Sequence, residues 1–257
     1  MIMIVALALQ AAAAAGPVDP ATGRFDRCIA LARTDPAAAR AEATRWTASG
    51  GNWLARQCAG LADTAEGKFA AAADDFEAAG RVAQLAHDAH TASYFAQAGN
   101  AWLAAGDAAK ARTALDTALV QGTLDGLQLG EARLDHARAL LALGDNDTAR
   151  ADIDRALQSA GDDPLAWLLS ATLARRMGNP ARAATDIAEA LKRSPDDASV
   201  QLEAGNIAAL SGDEARAKEA WANAARIAPD TAVGRSATTA LAQFATATPA
   251  AKPPEGR

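Results

Sequence analysis

The sequence predicts an all-α protein in which antiparallel helix pairs repeat along the chain and stack into a superhelix. Three observations carry this. Half of the 257 residues are hydrophobic but only 4% are aromatic, and alanine dominates the apolar content. Alanine is the best helix former because it loses no side-chain entropy on ordering, yet it buries little surface, so such helices must pack closely. Glycines recur at Gly67, Gly106, Gly144, Gly178 and Gly212, the last three 34 residues apart and the earlier intervals 39 and 38. Finally, small and large residues keep fixed distances from those glycines.

Seven residues before each glycine stand Gly60, Gly99, Ala137, Ala171 and Gly205. Five after stand Ala72, Ala111, Ala149, Ala183 and Ala217, and twelve after stand Ala79, Ala118, Ala156, Ala190 and Ala224. Nine after, every residue is large and apolar: Phe76, Leu115, Ile153, Ile187 and Trp221. Two antiparallel helices joined at the glycine approach closely only if small residues face each other, and the large residue then fills the space between neighbouring repeats. One pair cannot bury its apolar face alone, so several must stack. Asp107, Asp145, Asn179 and Asp213 follow four of the glycines. That order suits a left-handed glycine ending one helix and an N-cap starting the next. Lys68 breaks the pattern, so a cap there has to come from elsewhere.

These residues resemble the tetratricopeptide repeat, whose 34-residue period places small, small, large and small residues at these spacings before a proline. The last copy matches best, with Gly205, Gly212, Ala217, Trp221, Ala224 and Pro229; the copy before it adds Trp167 and Pro195. Gly161 and Thr123 stand at the proline position of two earlier copies, and Arg56 and Asp63 stand where aromatics are usual in the copy around Gly67. The resemblance runs over residues 92–230 and, more loosely, 52–91, and it implies a right-handed superhelix of antiparallel helix pairs.

The rest of the chain fits around this array of residues 51–230. Residues 24–50 read as a degenerate first helix pair turning at Thr34-Asp35-Pro36, with Asp35 as N-cap and Pro36 in the first helical position. Between Gly106 and Gly144 the extra residues fall in "VQGTLDGLQL", a loop or an extended helix end. Residues 231–244 read as a capping helix over the last core face, and 245–257 as a Pro- and Ala-rich flexible tail. At the other end, an apolar run from Met1 to Leu9 leads to Ala13-Ala14-Ala15 before Gly16. Residues 1–15 therefore have the layout of a secretory signal peptide, with 16–23 as linker. The run is too short and alanine-rich to span a bilayer comfortably, and no Lys or Arg precedes it. The alternatives are an uncleaved anchor or a cytosolic N-terminal helix. Export predicts a periplasmic or secreted protein with no stable membrane insertion after cleavage.

Cys28 and Cys58 lie in the first helices of consecutive pairs, which the resemblance makes neighbours on one concave wall. Export would make a disulfide between them reasonable; the alternative is two buried free thiols behaving as small hydrophobes. His87 and His90 share a helical face with no spacing that supplies a further metal ligand, and so read as a solvated helix junction. His136 falls in the crossing layer, as a hydrogen-bonded core or groove histidine. The groove that the resemblance implies is lined by the first helix of each pair, and counting along those helices turns Asn100, Arg138, Arg175, Arg176 and Asn206 towards it, above an apolar floor of Leu134, Leu168 and Leu202. Asparagine can pair with the main chain of an extended peptide and arginine can take a carboxylate. The alternative is that several of these side chains only pack or solvate. The family's carboxylate-clamping subclass uses a Lys/Asn/Arg set, and the lysines are missing here.

A net charge of −6 argues against a nucleic-acid partner. No phosphate loop, catalytic triad or paired-carboxylate motif is present, so no catalytic residue, metal or cofactor is predicted. The resemblance implies a non-catalytic module that binds a peptide or protein partner. A structural or assembly scaffold and a regulatory subunit of an envelope enzyme complex are the alternatives.

Overall fold

The computed structural model describes residues 20–246, within which thirteen helices follow one another. The pairs are α1 (Pro20–Thr34) with α2 (Pro36–Ala48), α3 (Trp53–Ala65) with α4 (Phe69–Leu85), and α5 (Thr91–Ala104) with α6 (Ala108–Val120). Then come α7 (Gly126–Leu143) with α8 (Asn146–Ser159), α9 (Pro164–Arg176) with α10 (Pro180–Arg193), and α11 (Ala198–Leu210) with α12 (Glu214–Ile227), closed by α13 (Ala232–Thr246). Each helix packs on its neighbours in the chain, and first helices also pack on one another, α1 on α3, α5 on α7 and α9 on α11. The signal peptide read at 1–15, linker residues 16–19 and tail residues 247–257 lie outside the described residues.

The punctuation behaves as its chemistry dictates. Gly67, Gly106, Gly144, Gly178 and Gly212 all have φ between 71° and 86°, the left-handed region that is costly for any residue with a Cβ. Asp107, Asp145, Asn179 and Asp213 each accept a hydrogen bond from the backbone N–H three residues on. Asp35 caps α2 in the same way through Ala38 N at 3.0 Å, with Pro36 in the first turn. Lys68 makes no side-chain cap to α4, and among the described residues no other side chain takes that place.

The fixed-distance positions meet in space. A Cβ built on Gly60 would lie 2.6 Å from the Phe76 ring, one on Gly99 2.3 Å from Leu115 Cγ, and one on Gly205 2.4 Å from Trp221. In each case the partners are in the two helices of one pair. The large residue therefore fills the angle within a pair rather than only the space between repeats. Size follows suit: glycine faces Phe, Leu or Trp, whereas the alanines Ala137 and Ala171 occupy the same position opposite Ile153 and Ile187. Between pairs the roles reverse once, with Phe95 of α5 closing on Gly80 of α4. Trp221 also meets Phe244 of α13 edge-on at 5.4 Å, which is how the last helix covers the open end of the stack.

One register position earlier, the same crossing is polar in two pairs. His136 Nδ1 lies 2.6 Å from Asp152, both buried, so the histidine is hydrogen-bonded in the core. The Ser170 hydroxyl donates to Asp186, and Arg150 of α8 donates to the Ser170 hydroxyl at 2.9 Å and to its carbonyl at 3.2 Å. That arginine spans the joint between α8 and α9, where consecutive helices touch least. A third buried polar group sits near the N-terminus: Arg40 of α2 donates to Asp75 of α4 at 2.6 Å and approaches Asp63 of α3 at 3.5 Å.

Two boundaries differ from the sequence reading, and two longer spacings resolve into defined elements. α1 begins at Pro20, so residues 20–23 are helix rather than linker; proline is well suited to a first helical turn, where its missing N–H has no partner to lose. α13 runs to Thr246, two residues into the predicted tail. The longer spacing after Gly106 is both a loop, residues 121–125, and an extension of α7 to 18 residues. After Gly67 the extra residues lengthen α4 to 17, and the following turn places exposed His87 at φ 55°, with exposed His90 just ahead of α5.

Cys28 and Cys58 are disulfide-bonded with Cα atoms 5.9 Å apart, tying α1 to α3 inside a cluster with Ala32, Ala39, Ala43 and Ala62.

Three outcomes follow for stability. Replacing Gly99 by Ala lowers the urea midpoint, because overpacking against Leu115 at about 1–3 kcal/mol outweighs a helix-propensity gain of up to about 1 kcal/mol. Gly23→Ala, whose Cβ would meet only an Arg27 guanidinium nitrogen at 3.8 Å, raises it. Reducing the disulfide, which closes a separation of 30 residues, removes roughly 3–4 kcal/mol on the chain-entropy account, and hydrogen exchange shows the loss first in α1.

Candidate functional site

Antiparallel pairing puts first helices side by side, and a cleft of about 600 Å³ opens between them, bordered mainly by α5 and α7 and completed by Leu61 and Thr64 of α3 and Phe69 and Phe76 of α4. Its apolar surface comes from Leu61, Phe69, Leu124 and Leu134, with exposed Leu165, at the start of α9, on the rim. Its polar wall is one face of α7. Gln128, Glu131, Asp135 and Arg138 are spaced three or four residues apart and so project to the same side, and all four line the cleft.

Two of the predicted groove residues meet here. The Asn100 amide nitrogen donates to Asp135 at 2.7 Å, and Arg138 donates to the other oxygen of the same carboxylate at 2.8 Å. Asn100 and Arg138 remain exposed, so both keep hydrogen-bonding capacity for an incoming group.

Arg175 and Asn206 meet at a different carboxylate. Glu203 is 6% exposed and takes Arg175 Nε at 2.6 Å, Arg175 Nη2 at 3.2 Å and the Asn206 amide at 3.2 Å. Asn206 in turn accepts from the Trp221 indole at 3.1 Å. This set bridges α9, α11 and α12 and is internally satisfied. Arg176 is exposed, borders neither set and is not among the cleft-lining residues. Of the predicted floor, Leu134 lines the cleft, while Leu168 and Leu202 pack against separate core clusters.

The two carboxylates at the centre of these sets, Asp135 and Glu203, were not among the residues read from the sequence. A signal was there: each stands three residues before a predicted groove residue, as Gln97 does before Asn100, and Gln97 is itself bonded across helices to Gln57 at 3.1 Å.

Away from the cleft, Asp75 has its carboxyl held above the usual value of 3.8, by burial first and by the Asp63 charge, against the opposing pull of Arg40 and Arg56. Among the described residues no helix is long and apolar enough to cross a membrane.

The geometry has a counterpart in known proteins. Models of the tetratricopeptide repeat match residues 130–173 and 168–232, so the chain carries tetratricopeptide repeats over that stretch. Its fold is shared with PilW, described as a widely conserved type IV pilus biogenesis factor (TM-score 0.71, 17% identity, 86% of this chain and 100% of that one). Pseudomonas aeruginosa PilF is similar (0.68, 14%, 86% and 99%), as is YrrB, described as having an unusual peptide-binding site (0.56, 17%, 76% and 96%). No curated protein matches the chain in sequence.

The two hubs separate under mutation. Glu203→Ala leaves a partly buried arginine unpaired and lowers stability by about 2–4 kcal/mol, read by chemical denaturation. Arg138→Ala, at an exposed pair, changes it by less than about 1 kcal/mol. The raised carboxyl of Asp75 stabilises the fold fully below 3.8, and that contribution is lost as pH rises through its elevated value. Thermal melts across the acidic range therefore show Asp75→Asn gaining on the wild type as pH increases.

Proposed function

We propose that the protein is a non-catalytic binding module that holds a peptide or partner segment in the cleft along α3, α5 and α7. The observation that carries this is a cleft with an apolar surface and exposed hydrogen-bonding side chains, Asn100 and Arg138, built on rigid helices. Such a site suits an extended segment, whose main chain needs donors and acceptors and whose side chains need apolar contact. The peptide-binding site named for YrrB, a protein of the same fold, supports the reading. Arg175 and Asn206 act in it by fixing the helices that follow.

The working location is the cell envelope, as a periplasmic or secreted protein. The N-terminal sequence pattern supports it, as does the Cys28–Cys58 bond, since disulfides persist in oxidising compartments. A second reading, an assembly scaffold acting through its edges, is favoured by exposed Leu85 and Val120 at helix ends, each 84% accessible.

Filling the cleft tests the first reading. Ala104 is an exposed lining residue, and Ala104→Trp abolishes partner capture from the native host without altering the circular dichroism spectrum. Retained capture, with self-association in light scattering, moves the function to the edges. Mass spectrometry under non-reducing conditions tests location: a chain starting near Gly16, with a peptide linking Cys28 to Cys58, is the expected result, and an intact Met1 with free thiols overturns it.

A further inference from the structure

We infer that the cleft selects a segment carrying lysine or arginine between apolar residues. The inference rests on the binding reading above and deepens it. Among the described residues four charged side chains line the cleft, and three are acidic: Glu131, Asp135 and Asp163 against Arg138. The one cation is partly neutralised, since Arg138 Nη1 is held by Asp135 at 2.8 Å. Glu131, one turn before Asp135 on the same helix face, is exposed and unpaired among the described residues.

The hydrogen-bond inventory leans the same way. The Asn100 amide nitrogen already donates one N–H to Asp135, which leaves one N–H and a carbonyl oxygen with two lone pairs. Gln97 donates to Ser93 O at 3.2 Å and accepts from Gln57. Asp163 spends one oxygen on the backbone N–H of Leu165 at 2.9 Å and keeps its charge. What remains open in the cleft is therefore richer in acceptors and negative charge than in donors. An ammonium or guanidinium group supplies donors and no acceptor, while a carboxylate would face three like charges. Leu165, 48% exposed on the rim, and the apolar surface below it call for hydrophobic residues on either side of that cation. Lysine and arginine also lay their methylene stems along apolar surface while the head stays polar.

The test uses three fluorescent peptides with the same Ser-Gly flanks and the cores Leu-Lys-Leu-Lys-Leu, Leu-Gln-Leu-Gln-Leu and Leu-Glu-Leu-Glu-Leu, titrated with the full chain by anisotropy at low salt. The lysine peptide is expected to bind at least about tenfold more tightly than the glutamate peptide, with the ratio shrinking as salt is raised. Glu131→Gln should cut the ratio about threefold and Arg138→Gln should raise it by a similar factor. A glutamate peptide that binds equally or better overturns the charge selection and leaves the cleft reading standing. So does a lysine preference indifferent to Glu131→Gln, which assigns it to the overall charge of −6 rather than to the cleft. If none of the three binds, or Ala104→Trp leaves binding intact, the cleft reading fails with it.

Discussion

The contact between a missing side chain and a large one sets the geometry of this protein. Where Gly99 faces Leu115, or Gly205 faces Trp221, the backbone of one helix lies against the side chain of the other. Interhelical distance is then fixed by a single residue's bulk. Protein interiors are packed as densely as organic crystals, so a chain this poor in aromatics reaches that density only by drawing its backbones together. Alanine above and below the crossing permits the approach. The exchange of Gly–Trp or Gly–Leu for Ala–Ile along the array keeps the combined volume in bounds, and the pairs stack without a change of scale.

With the spacing fixed, polar groups can be placed one register position away. His136–Asp152 and Ser170–Asp186 sit beside the large–small contacts, where a dry environment raises the cost of any mismatch. Apolar crossings tolerate sliding more readily than these directional ones do. Nearer the surface, Asp135 and Glu203 repeat one device: a carboxylate gathers one donor from three residues on in its own helix and another from the preceding first helix. At Glu203 the result is closed and structural. At Asp135 it opens onto the cleft, and the same chemistry becomes available to a partner.

How far the sequence carries this picture depends on the kind of information required. Turn glycines, their Asp and Asn caps, the Asp35-Pro36 turn and the large–small spacing are local patterns, and the fold follows from them. The start of α1 at Pro20 is less visible, because proline marks a helix's beginning as readily as a linker. Within the site, counting along the first helices finds Asn100 and Arg138 but does not separate them from Arg175 and Asn206. That distinction depends on which helix supplies the carboxylate opposite, a relation between residues 28 apart in the case of Arg175 and Glu203. Periodicity places a side chain on a face; it does not say whether a neighbour has already claimed it.

The thin joint between α8 and α9 gives the stack an uneven stiffness. A row of helix pairs behaves like an elastic rod, and a rod bends where its cross-section is weakest. Both ends of this one are stiffened, by a covalent link between α1 and α3 and by an aromatic contact between α12 and α13. Bending is therefore concentrated in the interior, at a joint held by the Arg150 guanidinium on Ser170. Asp163 and Leu165 stand on the far side of that joint and form part of the cleft's rim. A few degrees of flexure there change the width of its mouth while leaving the α3–α7 wall undisturbed.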